Sequence, residues 1–463
     1  MLLPFFIALL YGQNDAKAFL FSALITLCAG LLMFRIKVKT NNFYIRDGFA
    51  VVALSWILVS VFGSLPFLFS GAITSPVNAF FETVSGFSTT GATILDNVEA
   101  MPYGILFWRS FTHWMGGMGV LILTLAILPS AGASFYHVMK AESPGPNPEK
   151  LVPKIGQTAK ILYSIYIVLT TLLTIFLLIA GMPLYDALIH AFATAGTGGF
   201  SGKNLSIGAY GSVFIDVIIT VFMFLFGINF SLYYHSLKGN FKSVFKNEEF
   251  RFYIGLVFIS IIVITLNLVL NGFYSIGEGL RYSAFQVNSV ISTTGYATAD
   301  FNLWPVLSKF ILIMLMFIGP SAGSTGGSMK CIRYLLLLKI IKRELAKIIH
   351  PRAVHTVKLA GKAVDETTLW GTMAFFFIYI IIFVISSLVV CLDGKDLVSS
   401  VTAVIASIGN IGPGLGIVGP TGSYSGFSNL SKIVLSFCMI AGRLEILPVL
   451  VLFSPSAWKK ASI

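Results

Sequence analysis

Long apolar segments separated by short polar breaks follow one another along the whole chain. Most of them reach about 20 residues, the length that an α-helix needs to cross a ~30 Å hydrocarbon core. The pattern predicts two leading membrane helices and then four pairs of outer helices. Their expected bounds are 2–12 and 16–34, then 47–70 and 103–129, 157–181 and 207–235, 250–271 and 303–345, and 366–391 and 426–454.

Between the two helices of each pair lies a short amphipathic stretch followed by a loop centred on glycine. The loops read STTGAT (88–93), ATAGTGG (193–199), STTGYA (292–297) and ASIGNIG (406–412). If Gly91, Gly196, Gly295 and Gly409 are taken as equivalent, they recur at intervals of 99 to 114 residues. Such near-constant spacing indicates an internal repeat. The predicted organisation is two extra N-terminal transmembrane helices in 1–40 and four repeats in 41–150, 151–245, 246–360 and 361–463.

The stretch 76–87 shows what the short segments do. Ser75 is a candidate helix cap and Pro76 fits the first helical turn. A dozen helical residues reach only ~18 Å, so the segment dips into the membrane and returns. Backbone that is not helical is tolerated at this depth only inside protein or beside water. We therefore expect an all-α integral membrane protein whose four pseudo-equivalent helix, pore-helix, filter-loop, helix repeats surround a central pore.

Composition supports a membrane protein, because 56% of the residues are hydrophobic and only 11% are charged. The net charge of +12 comes mainly from segments between repeats and at the C-terminus, which hold 22 Lys and Arg, against seven on the glycine-loop side. This bias is typical of cytoplasmic loops, so both termini are expected in the cytoplasm, and no nucleic-acid partner is needed to explain the charge. The four cysteines lack disulfide or metal-ligand spacing.

The glycine loops suit a cation that sheds its water. Four short helices that point their C-terminal ends at one centre place partial negative charge there. Glycine lets successive carbonyls face the axis, and rings of backbone carbonyls replace the hydration shell of K⁺ in potassium filters. Asn410 is a further candidate through its amide oxygen. The predicted filter residues are Thr90, Gly91, Ala195, Gly196, Thr294, Gly295, Ile408, Gly409 and Asn410.

In the third repeat, the final apolar span is interrupted by IGPSAGSTGGSMK (318–330), which should unwind. An unwound loop below a filter can obstruct the pathway and move aside; the alternative is a packing kink. A Walker phosphate loop is a poorer match, because Cys331 follows Lys330 where Ser or Thr is needed. The predicted gate residues are Gly319, Gly323, Ser324, Thr325, Gly326, Gly327 and Lys330.

Arg443 lies about halfway along the last apolar span, where an unpaired charge is costly. It is a candidate for a charge barrier in the pore, and pairing with Glu445 is the alternative. The other polar residues of the spans, among them Glu82, Arg109, His113 and His190, are interpreted as structural.

These motifs resemble a known family. The glycine loops, the opening MLLPFFIALLYG, FWRSFTHWMGGMG (107–119), AGSTGGSMK (322–330) and AGRLEILPVL (441–450) are similar to the Trk-type potassium-uptake membrane subunits of the Trk/Ktr/HKT superfamily, over essentially the whole chain. The resemblance implies a homodimer, a cytosolic TrkA-like nucleotide-binding regulatory ring, no cofactor in this chain, and a bacterial inner membrane location. It also implies that 319–330 is an intramembrane gate and that Arg443 lines the pore.

The predicted function is potassium uptake through a gated, channel-like pore, and the alternative is potassium symport coupled to sodium or protons. Because Ala195 and Ile408 stand where two loops have Thr90 and Thr294, some sodium passage is expected. Two other classes remain as rivals. An intramembrane enzyme would have to use residues such as His113, but neither an H-E-x-x-H nor a G-x-S-x-G motif occurs. A scaffold for the cytosolic ring would not transport ions by itself.

Overall fold

The structure is a computed structural model that describes residues 1–35, 45–119, 155–353 and 355–458. It begins with a helical hairpin that packs on the first repeat. Helices are numbered over the described residues. The hairpin consists of α1 (Leu2–Leu10) and α2 (Ala16–Phe34).

The first two repeats have the predicted order of an outer helix, a short pore helix and a second outer helix. Repeat 1 contains α3 (Ile45–Phe69), α4 (Pro76–Phe87) and α5 (Tyr103–Gly117), and repeat 2 contains α6 (Ile155–Ile179), α7 (Leu184–Ala195), a 3₁₀ turn (Ser206–Tyr210), α8 (Val213–Phe226), α9 (Phe230–Leu237) and α10 (Phe241–Lys246).

The third and fourth repeats follow the same order, and a two-stranded hairpin lies between them. Repeat 3 contains α11 (Glu248–Leu270), α12 (Ile276–Ile291), a 3₁₀ turn (Phe301–Leu303), α13 (Val306–Ile318) and α14 (Cys331–Ile349), and the strands are β1 (Lys358–Leu359) and β2 (Lys362–Ala363), which pair antiparallel. Repeat 4 contains α15 (Glu366–Cys391), α16 (Leu397–Ile408), a 3₁₀ turn (Gly416–Val418), α17 (Asn429–Arg443), α18 (Leu447–Phe453) and α19 (Pro455–Trp458).

The first outer helix of every repeat is long and apolar enough to cross a membrane. In contrast, the four pore helices α4, α7, α12 and α16 contain only 12 to 16 residues. Pro76 occupies the first turn of α4 as predicted, whereas Ser75 stands at the cap position without a side-chain cap bond. Two other pore helices are capped by Ser275 and Asp396. Because the C-terminal halves of the pore helices are largely buried, these halves carry the site rather than the boundary with lipid.

The second outer helices differ from the sequence prediction, which interrupted only the one in repeat 3. In repeat 2, α8 and α9 are bent by 92° at a short break. In repeat 4, α17 and α18 are separated by residues 444–446, where Glu445 and Ile446 have positive φ. The expected continuous spans 207–235 and 426–454 are therefore wrong. Hydropathy averaged over a span does not register these breaks, because most residues of the two spans are apolar.

Candidate functional site

The four loops that follow the pore helices share one backbone conformation. In each loop, the residue after the helix is right-handed, the next residue is left-handed, and a glycine with positive φ comes two positions later. The left-handed residues are Thr89 (φ 57°), Thr197 (54°), Thr293 (63°) and Asn410 (54°), and the glycines are Gly91 (80°), Gly199 (75°), Gly295 (80°) and Gly412 (94°). A left-handed turn is unfavourable for Thr, so its recurrence at three loops indicates a surrounding structure that imposes it.

This common conformation corrects the sequence alignment of repeats 2 and 4. Gly196 and Gly409, taken as equivalent to Gly91, instead end their pore helices with φ of −70° and −81°. Their structural equivalents are Ser88 and Ser292, which end α4 and α12. Ala195 and Ile408 are accordingly the last residues of α7 and α16, one turn before the filter position.

Residues 198, 199, 411 and 412 thus occupy the loop positions equivalent to 90, 91, 294 and 295, and sequence reasoning missed them. A usable signal was present, since each loop has Thr or Asn two residues before one glycine, in Thr89–Gly91, Thr197–Gly199, Thr293–Gly295 and Asn410–Gly412. Choosing the first glycine of each loop hid this pattern.

The glycines at positive φ close the four loops into a ring. A Cβ atom at Gly91 would overlap the carbonyl oxygen of Gly198, one at Gly199 would overlap that of Thr294, and one at Gly295 would overlap that of Ile411. At Gly412, a Cβ atom would lie 2.6 Å from the carbonyl oxygen of Thr90, which returns to the first loop. Contacts this close exclude any side chain at these positions. Glycine is therefore required both for the left-handed backbone and for the approach of the neighbouring loop.

The glycine ring lies in the wall of one open cavity of about 100 Å³ that residues of all four loops line. Asp96 and Lys203 contribute charges to this cavity. The carboxylate of Asp96 accepts hydrogen bonds from the hydroxyls of Ser423 and Ser425, and these bonds, helped by Lys432, hold the pKa of Asp96 below its usual value. Asp96 consequently keeps its negative charge in moderately acidic solution.

Side-chain hydroxyls and an amide brace the loops. The hydroxyls of Ser88 and Thr90 are 2.7 Å apart, as are those of Ser292 and Thr294. The amide nitrogen of Asn410 donates to Thr90 Oγ1 (3.0 Å) and to the carbonyl of Met439 (2.8 Å). Its Oδ1 has no hydrogen-bond partner among the described residues, although it is buried. The amide oxygen of Asn410 therefore accepts no hydrogen bond from the described residues, while its nitrogen links loop 4 to loop 1.

The segment 319–330, predicted to unwind, is irregular and packs directly on the filter loops. The backbone N–H of Gly327 donates to Thr293 Oγ1 (2.8 Å). A Cβ atom at Gly326 would lie 2.6 Å from the carbonyl oxygen of Ser292, and one at Gly327 would lie 2.7 Å from that of Gly409. Because the pore helices end at these same residues, the segment lies against the inner ends of loops 3 and 4.

Several contacts fasten this segment. Lys330, which is 1% exposed, donates from Nζ to the carbonyl of Gly326. The N–H of Phe230 donates to the carbonyl of Gly323 (3.0 Å), and the N–H of Ser321 donates to that of Gly227 (3.1 Å). Both partners lie at the break in repeat 2. The irregular backbone of repeat 3 thus satisfies its hydrogen bonds on the irregular backbone of its neighbour.

Arg443 joins three of the repeats. Its Nη1 donates to the carbonyl of Thr325 (2.6 Å) and to Thr89 Oγ1 (3.3 Å), and its Nη2 donates to the carbonyl of Gly116 (2.6 Å). Glu445, considered as its partner from the sequence, forms two hydrogen bonds with Arg333 at the start of α14. The guanidinium is therefore held by backbone carbonyls at the inner side of the loops.

The polar residues interpreted as structural lie behind the loops. Arg109 Nε and Glu82 Oε1 are 2.8 Å apart, and both side chains are at most 2% exposed. Glu82 also accepts from the backbone N–H of Ile94 (2.9 Å). His190 donates from Nδ1 to the carbonyl of Asp186 (2.7 Å), and its Nε2 lies 2.9 Å from Ser201 Oγ. Their contacts fix the backbone on either side of the glycine ring.

No group of three or more His, Cys, Asp and Glu residues that could hold a metal ion occurs in the described part of the chain. The four loops instead present backbone carbonyls and the C-terminal ends of the pore helices.

Comparison with known proteins agrees with this interpretation. Residues 14–460 match the model of the TrkH family, described as cation transport proteins. The Trk system potassium uptake protein TrkH of Escherichia coli K12 is 37% identical over 99% of this chain and 96% of its own length. TrkG of the same strain, with the same description, is 33% identical over 99% of this chain and 95% of its own. The crystal structure of the potassium transporter TrkH from Vibrio parahaemolyticus superposes with a TM-score of 0.88 at 35% identity, covering 99% of this chain and 96% of that one.

Proposed function

Because this chain belongs to the TrkH family of cation transport proteins, we propose that it takes up potassium through a gated, channel-like pore with a carbonyl selectivity filter. The observation that carries the proposal is the closed contact of Gly91, Gly199, Gly295 and Gly412, each with the carbonyl of the next loop. A ring of backbone carbonyls contains no titratable group, and its oxygens can replace the water around K⁺.

In this proposal the filter consists of the three residues that end at each ring glycine. Helix C-terminal ends at all four corners lower the cost of dehydration. An inside-negative potential drives uptake, at about 2.3 kcal/mol per charge per 100 mV. The residues are 89–91, 197–199, 293–295 and 410–412, which retain Thr90, Gly91, Thr294, Gly295 and Asn410 from the sequence prediction.

The proposed gate is the segment 319–330, which has to leave the inner ends of the loops for ions to pass. Its candidate residues are those predicted from the sequence, and their hydrogen bonds to loop 3 and to Arg443 support the role. Arg443 also acts as a charge barrier. At ~6 Å and an effective dielectric of ~20, a cation would be repelled by about 3 kcal/mol, which limits leak while the gate is closed.

The proposed setting is the bacterial inner membrane, with both termini cytoplasmic. The charge bias between the two sides supports the orientation. By analogy with the family we further propose a homodimer regulated by a cytosolic TrkA-like nucleotide-binding ring. Cross-linking of the detergent-solubilised protein, with and without the ring, tests both associations.

Isotope flux in proteoliposomes tests the function. Purified protein should carry K⁺ and Rb⁺ at comparable rates and Na⁺ more slowly, along an imposed inside-negative potential. Flux with potassium as the sole cation at constant pH supports a channel-like pathway. A strict requirement for sodium or a proton gradient would establish symport instead, and absence of flux without the cytosolic ring would favour a scaffold.

A further inference from the structure

Filter loop 2 lacks the side chains that brace loops 1 and 3. In those loops a Ser at the helix end and a Thr at the filter position join hydroxyls at 2.7 Å. The equivalent positions of loop 2 are Gly196 and Gly198, so no such pair can form. Two glycines within three residues give the backbone the greatest conformational freedom. Loop 2 therefore needs support from elsewhere.

That support is His113 of α5, in the neighbouring repeat. Its side chain is 0% exposed. A Cβ atom at Gly198 would lie 2.5 Å from Cδ2 of the imidazole, and one at Gly196 would lie 2.6 Å from the carbonyl carbon of His113. The imidazole thus fills the space that a side chain at position 198 would need, and the backbone of His113 occupies the space at position 196.

The imidazole is itself held on two sides. Nδ1 donates to the carbonyl of Gly86 near the end of pore helix α4 (2.7 Å), since a carbonyl can only accept. The ring stacks on Phe200, the residue after the ring glycine of loop 2, with centroids 4.1 Å apart. His113 consequently connects the end of pore helix 1 to both sides of Gly199.

We propose that His113 is a positioning residue for ion selection: it replaces, across the boundary between repeats, the hydroxyl pair that loop 2 lacks. The inference rests on the proposed function. The carbonyl of Gly198 is the one that packs against Gly91 in the ring, so any freedom of Gly198 alters the geometry of the ring at the contact between loops 1 and 2. No contact between the imidazole and the ion is needed.

The test compares K⁺ and Na⁺ flux in proteoliposomes. His113→Ala leaves a cavity beside two glycines, and we expect the K⁺/Na⁺ flux ratio to fall about tenfold, because small differences in ion binding energy change the ratio exponentially. His113→Asn keeps an N–H donor but is much smaller than histidine. It should therefore also lower the K⁺/Na⁺ flux ratio, by most of the same factor. Phe107→Ala removes another buried aromatic ring of α5 and is the control, with an unchanged ratio.

Compensation separates positioning from general stability. In the double variant His113→Ala and Gly198→Thr, a side chain of loop 2 occupies the space of the imidazole, and the ratio should recover relative to His113→Ala; Gly196 is kept, because a Cβ atom there would overlap the backbone carbonyl of His113. Gly91→Ser is measured alongside. If Gly91→Ser lowers the ratio while both His113 single variants keep it, the inference about His113 fails and the filter stands. If Gly91→Ser also leaves the ratio unchanged, the proposed filter itself fails.

Discussion

Nη1 of Arg443 donates a hydrogen bond of 2.6 Å to the carbonyl oxygen of Thr325. The bond links the last residue of α17 in repeat 4 to the proposed gate in repeat 3. The same guanidinium also reaches Gly116, a residue of repeat 1. Removal of the side chain should loosen the gate, because the bond to Thr325 is lost, and should also remove the charge barrier. Two effects of one residue therefore act in the same direction.

Arg443→Ala is expected to raise Rb⁺ uptake several-fold in proteoliposomes without the regulatory ring. The gate loses a hydrogen bond to its Thr325 carbonyl, and the pathway loses a positive charge worth about 3 kcal/mol at ~6 Å. Arg443→Lys is the matched variant, since it keeps the charge but cannot donate to several carbonyls in a fixed fork. Wild-type uptake in Arg443→Ala would contradict both roles.

Substitutions at the two glycines of loop 4 distinguish the structural register from the one based on sequence. Gly412→Ala places a Cβ atom 2.6 Å from the carbonyl of Thr90 at φ 94°, whereas Gly409→Ala has φ −81°, with its closest contacts at 2.9 Å. We expect Gly412→Ala to lower the K⁺/Na⁺ flux ratio severely and Gly409→Ala to lower it less. The reverse order would restore Gly409 as the key glycine.

Glu82→Gln removes the partner of a buried cation. Arg109 is 2% exposed and lies 2.8 Å from Glu82, so the variant buries an uncompensated charge. Breaking such a pair costs about 3 to 5 kcal/mol. Thermal unfolding in detergent should show a clear fall in midpoint temperature. Glu366→Gln is the control, because the Glu366 side chain is 62% exposed and exposed pairs contribute about 0 to 1 kcal/mol.

Asp96 should make uptake sensitive to external pH only in strongly acidic solution. Hydrogen bonds from Ser423 and Ser425 lower its pKa, so the carboxylate stays charged below the ordinary value of about 3.9 and loses its charge as pH falls through the lowered pKa. The stability that these bonds provide is present above the unfolded-state pKa and is lost over the same fall in pH.

The measurement for Asp96 is the half-saturating K⁺ concentration at two ionic strengths. Asp96→Asn should raise this concentration at low ionic strength and have little effect at about 1 M salt, where the Debye length is only ~3 Å. Asn97, the exposed residue beside it, gives the control variant Asn97→Ala. An equal effect at both ionic strengths would show that Asp96 acts through local structure instead of through its charge.

The segment 319–330 is a helix break that the sequence predicts, whereas the break after α17 is one that it does not. Its crowding of Gly, Ser and Pro predicted an unwound backbone, and the structure has one. Sequence did not predict that α17 also ends at Arg443, because Arg443, Leu444 and Glu445 are residues that favour helix. Its break depends on backbone angles at Glu445 and Ile446 that only the packing of the other repeats imposes.

Composition, hydropathy and the fourfold recurrence of glycine loops determined the membrane class, the repeats and the type of site, because burial in lipid and helix length constrain a chain locally. Only the tertiary structure decided which glycine of each loop belongs to the ring. It also decided that Glu445 binds Arg333. Such relationships join residues of different repeats, far apart in the chain. Their energies depend on distances of a few ångströms that no local pattern encodes.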